Sequence, residues 1–88
     1  MQRNTSNEVA AILSKMNSAE EVAKFLDEML TGAELHDLQM RWELLKLLRD
    51  GVPQRAIASK LHISLCKITR GAKILKNDSS VVRRLLYK

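Results

Sequence analysis

The chain has 88 residues, 45% hydrophobic but only 3% aromatic, and a net charge of +5. This suits one small helical or mixed domain and argues against a disordered segment, but it leaves little material for a large core. No apolar run approaches the roughly 18 residues of a membrane span, and the N-terminus shows no apolar signal core. The lone cysteine, Cys66, excludes an internal disulfide and a cysteine-rich metal site. Together these features predict a protein of the reducing cytoplasm.

Hydrophobic spacing predicts an all-α fold of about six helices, read as a single domain over residues 1–88. Thr5 and Glu8 have the spacing of a capping box, followed by Val9, Ile12, Leu13 and Met16 at helical intervals. Ser18 and Glu21 form a second such pair, ahead of Val22, Phe25, Leu26 and Met29. A third, Thr31 with Glu34, opens the longest predicted helix, which runs to Arg49 within a central segment 31–50. Leu35, Leu38, Trp42, Leu45 and Leu48 make one stripe of it, and Leu44 and Leu47 widen that stripe. The helix is therefore expected to be buried over much of its circumference, as the central element of the fold. Asp50 and Gly51 end it through a left-handed C-cap, and Pro53 suits the first turn of the next helix.

Residues 53–76 read as a helix-turn-helix. Ile57, Ala58 and Leu61 share a face of the first helix, and small Ala58 suits a close crossing. His62, Ile63 and Ser64 form the break, where His62 must accept a left-handed backbone and Ser64 is a natural N-cap. The second helix is expected to bury Leu65, Ile68, Ala72 and Leu75 while Lys67, Arg70, Lys73 and Lys76 face outward. Asn77, Asp78 and Ser79 signal a stop and a new start. A last short helix within 78–88 places Val81, Val82, Leu85 and Leu86 on an apolar face, with Arg83 and Arg84 solvated. No pattern reads as a strand.

The charge is unevenly spread. Residues 1–40 carry a balance of −4, and residues 41–88 a balance of +9. The helix-turn-helix lies in the basic half, as binding to duplex DNA requires. In such a motif the first helix meets the phosphate backbone through Gln54 and Arg55, and Arg55 has the reach for a guanine edge. Ser64, Leu65, Cys66 and Lys67 form the turn that would enter the groove, although Leu65 is equally suited to a core. Lys73 is either a DNA contact or a solvated charge. No paired carboxylates, Cys/His or Ser/His constellation or glycine-rich phosphate loop appears, so the chain is not expected to be an enzyme. His36 and His62 lack metal-ligand spacing.

With these residues placed, the sequence resembles the tryptophan repressor family of bacterial regulators. The resemblance rests on Leu30–Thr31, on Arg41–Trp42, and on Leu48, Gly51 and Gln54–Arg55 at nearly the family's spacing. Its most specific part is Ile68–Thr69–Arg70–Gly71 followed by Leu75–Lys76. It implies an intertwined homodimer in which residues 1–30 supply dimerisation helices. It further implies a repressor that binds a double-stranded operator, with L-tryptophan as co-repressor and no metal. By position, Arg41 and Arg70 would flank the indole ring, and Arg70 and the Thr31 hydroxyl would reach the ligand carboxylate. The carbonyls of Glu28 and Leu30 would accept from its ammonium group, and Gly71 would leave room for the ring. Thr69 and Lys76 match phosphate contacts.

Three departures bear on the ligand. Ile74 stands where tryptophan-binding members carry a small hydroxyl residue, Gly32 replaces a proline, and one residue is missing between Gly51 and Gln54. Several of these residues also have a plainer role: Thr31 caps its own helix, Arg41 can pair with Asp37, Arg70 can form an ion pair or contact phosphate, and Trp42 suits the core or a dimer interface. Two other readings stay open, a ligand-independent DNA-binding regulator of the same fold and a helical module that docks an acidic protein.

Overall fold

The computed structural model describes residues 4–87, and those residues form six helices and no strand. In chain order they are α1 (Asn4–Ser14), α2 (Ala19–Met29), α3 (Gly32–Arg49), α4 (Gln54–Leu61), α5 (Leu65–Lys76) and α6 (Val81–Leu86). The chain divides into two compact units, Met1–Leu35 and His36–Lys88, and the boundary falls in the first turn of α3.

In the first unit the helix starts follow from capping. The Thr5 side chain lies outside the described residues, so the first predicted box stands apart. At α2 the Ser18 hydroxyl accepts from the Glu21 N–H at 3.1 Å. At α3 the exchange is reciprocal: Thr31 Oγ1 accepts from the Glu34 N–H at 3.1 Å, and Glu34 Oε1 accepts from the Thr31 N–H at 2.9 Å. Two otherwise orphaned donors are satisfied this way, typically worth about 1 kcal/mol for the cap residue. No side chain described in this unit is buried.

The second unit holds the core. Leu44, Leu45, Ile57, Ile68, Leu75 and Leu86 are buried, with Leu47, Leu48, Val52, Ala58, Leu61, Ile63 and Val82 packed around them. α3 and α5 approach closely at Gly71, where an added Cβ would lie 2.6 Å from Leu44 Cδ1. The missing side chain is what admits Leu44 between the helices.

Four expectations are corrected. Leu38 and Trp42 are 43% and 42% exposed, so the stripe of α3 is buried only around Leu44 and Leu45. Leu65 is 47% exposed, because the first residue of α5 projects past the core that Ile68 enters one turn later. In α6 only Leu86 is buried while Val81 and Leu85 face out, since six residues give one inward turn. Pro53 is the N-cap of α4 rather than its first residue, with extended ψ of 145°.

Both turns that frame α4 use left-handed residues. Gly51 has φ of 85°, and the N–H groups of Gly51 and Val52 donate to the carbonyls of Leu48 and Leu47 at 3.1 and 3.0 Å. This paired closure satisfies the last carbonyls of α3. After α4, His62 takes the same role at φ 57° and ψ 46°, and the Ile63 N–H reaches the Ala58 carbonyl at 3.3 Å.

Candidate nucleic-acid interface and ligand recess

The candidate interface is built on α5. Its start is fixed by Ser64, whose hydroxyl accepts from the Lys67 N–H at 3.4 Å, and Ile68 anchors the next turn with no exposed surface. Lys67, Arg70, Lys73 and Lys76 recur every third position and are all exposed, as are Cys66 and Thr69. Cys66, Thr69, Arg70 and Lys73 line one open groove on this face. Gln54 and Arg55 are exposed at the start of α4. Free N–H groups and a partial positive charge at the α5 N-terminus add to this cationic surface.

The far end of α5 is held by a residue expected to be solvated. Arg83 Nη1 donates to the Leu75 carbonyl at 2.8 Å, its Nε lies 3.7 Å from Asp78 Oδ1, and its guanidinium sits 5.1 Å from the centre of the Tyr87 ring. The cation thus meets the negative end of the α5 dipole and ties α6 to it. Ser80 caps α6 by accepting from the Arg83 N–H at 3.1 Å.

Between α3 and α5 lies a recess of about 140 Å³ lined by Arg41, Leu44, Leu45, Lys67, Arg70, Gly71 and Ile74. Its walls are leucine, isoleucine and a bare helix backbone, and its charged residues are all cations. Among the described residues Arg41 makes no ion pair, so the expected link to Asp37 is absent. Beside the recess a wider cleft of about 620 Å³ runs past Arg41 and Lys67 to the turn residues His62, Ile63 and Ser64. No group of His, Cys, Asp or Glu side chains among the described residues is arranged to hold a metal ion. No helix described is long and apolar enough to cross a membrane.

Residues 4–88 match the family model described as Trp repressor protein. The chain belongs to the Trp repressor family. It is 39% identical to a Trp operon repressor homolog of Xylella fastidiosa (strain M23) over 69 residues, covering 77% of this chain and 75% of that one. It is 30% identical to a Trp operon repressor homolog of Chlamydia trachomatis serovar L2 over 78 residues, covering 88% and 83%. No solved structure gives a significant match. This is a family of transcription regulators and not of enzymes, and the chain is a regulator of the Trp repressor type.

The candidate residues of this Trp repressor-type chain fall into three groups. Gln54, Arg55, Ser64, Leu65, Cys66, Lys67, Thr69, Lys73 and Lys76 are exposed on α4, the turn and α5. Arg41, Arg70, Gly71 and Ile74 meet around the recess. Glu28, Leu30 and Thr31 belong to the first unit, where the Thr31 hydroxyl already accepts a capping bond but keeps its own proton free to donate. Sequence reasoning placed Lys67 on the DNA side alone and did not assign Leu44 or Leu45 to the recess. Lys67, Arg70, Gly71 and Ile74 are spaced at 0, 3, 4 and 7, one helical edge, so the signal for Lys67 was present.

Proposed function

We propose that this protein is a homodimeric repressor that binds a palindromic operator in duplex DNA, acting in the cytoplasm with an indole ligand, L-tryptophan, as co-repressor. The observation that carries the DNA reading is the cationic outer face of α5 behind a capped left-handed turn. In this reading the first turn of α5, with Ser64, Leu65, Cys66 and Lys67, enters the major groove. Gln54, Arg55, Thr69, Lys73 and Lys76 hold phosphates on either side. Dimer formation is supported by Val9, Ile12, Met29, Leu38 and Trp42, apolar side chains that are 37–62% exposed in the single chain.

The recess suits a flat aromatic ring. Leu44, Leu45 and Ile74 give apolar walls, Gly71 gives a side without Cβ, and the Arg41 and Arg70 guanidinium planes can stack on a ring face. At about 140 Å³ it is smaller than ordinary ligand pockets, which begin near 300 Å³, so it takes the ring and leaves the amino-acid end at the mouth. Glu28, Leu30 and Thr31 remain the resemblance's candidates for that polar end. Ligand favours the orientation of the reading heads that fits DNA, a shift in population rather than a new contact to bases.

Gel shifts on operator duplex at fixed salt, with and without tryptophan, test both clauses. Affinity is expected to fall steeply with salt and to rise with tryptophan. Arg55→Ala should weaken binding in both conditions, whereas Arg70→Ala should abolish the response to tryptophan. No binding to any duplex at low salt would overturn the DNA reading. Equal affinity with and without tryptophan would leave a ligand-independent regulator, the reading favoured by Ile74, which offers the ligand no acceptor.

A further inference from the structure

Three residues that border the recess, Arg41, Lys67 and Arg70, are cationic, and none of its lining side chains is a carboxylate, hydroxyl or amide. Like charges around one apolar opening repel each other, weakly in water and more strongly once a ring excludes water. An anion at the mouth relieves that repulsion. An ammonium group finds neither an acceptor side chain nor an opposite charge among the lining residues. Arg41, Leu44 and Lys67 border both this recess and the cleft that reaches His62, Ile63 and Ser64, and of the three only Lys67 lies on α5. Its own N–H is the group bound by the Ser64 cap, so its backbone is part of the first turn of α5.

We propose that Lys67 binds the carboxylate of the co-repressor and thereby couples the recess to the turn that reads DNA. This rests on the co-repressor reading above and adds a ligand-binding role to a residue otherwise placed on the DNA face. With Lys67 paired to the ligand, the first turn of α5 is held between the Ser64 cap and a fixed anion. Without ligand the ammonium group has no such anion to hold it and gives the turn no anchor.

Calorimetry on the intact chain, in the absence of DNA, tests the role with two probes: L-tryptophan and indole, which has the ring but no carboxylate. Lys67→Gln should weaken tryptophan binding about tenfold, the size of one lost charge-assisted contact, and leave indole binding unchanged. Lys67→Arg should retain tryptophan binding close to that of the unaltered chain. Unchanged tryptophan binding in Lys67→Gln would overturn the proposal. So would an equal loss for both probes, which would mark a structural role. Binding of indole but not tryptophan by the unaltered chain would also overturn it. Binding of neither would instead remove the co-repressor site itself, and this role with it.

Discussion

The two units solve the same problem differently. The first, Met1–Leu35, has sound local structure, with a capped α2 and a reciprocal capping box at the head of α3, yet none of its described side chains is buried. The second, His36–Lys88, contains all six apolar side chains that are buried among the described residues. Caps satisfy backbone donors and set where helices begin, but burial of apolar surface supplies most of the free energy that keeps helices together. Amphipathic helices that bury nothing in one chain need another surface. The charge balance divides in the same direction, acidic before residue 41 and basic after it. Under the proposed function nucleic-acid binding falls to the second unit, whereas the exposed apolar residues offered for association, Val9, Ile12, Met29, Leu38 and Trp42, come from both.

The largest expected effect tests the core of the second unit. Ile68 has no exposed surface, and Ile68→Ala should cost about 2–5 kcal/mol and leave so small a fold largely unfolded in a thermal melt. Ile12→Ala, at a side chain 41% exposed, should change the melt of dilute protein much less. Similar losses from both would erase the distinction between the units.

Next comes the crossing of α3 and α5. Gly71→Ala places a methyl 2.6 Å from Leu44 Cδ1, the end of a side chain that can move, and should cost about 1–3 kcal/mol by chemical denaturation. A neutral result would mean that Leu44 can withdraw without loss. Trp42→Ser addresses association: sedimentation should shift from dimer toward monomer, and an unchanged dimer would remove Trp42 from the interface.

The smallest effects belong to the helix ends. Thr31→Ala should cost about 1 kcal/mol, and Thr31→Ser should recover most of it. Arg83→Ala removes the bond to the Leu75 carbonyl and should lower stability by about 1 kcal/mol, read as a modest fall in denaturation midpoint. Arg83→Lys should recover only part, because a lysine cannot donate along the guanidinium plane while stacking on Tyr87.

Local signals in the sequence were sufficient for what is local in the structure. The left-handed bends at Gly51 and His62, the caps at Ser18, Thr31 and Ser64, and the cationic spacing along α5 depend on residues within one or two turns. Their energetics are short-ranged, so the order of residues alone determines them. Leu65, Trp42, Val81 and Leu85 have the same apolar chemistry as Leu44 and Leu86, and periodicity cannot tell which of them meets a partner within the chain. Only the packing of α3 through α6 decided that. It also decided that Lys67 borders an apolar recess and that Arg83 closes the end of α5, because both depend on where a second helix lies.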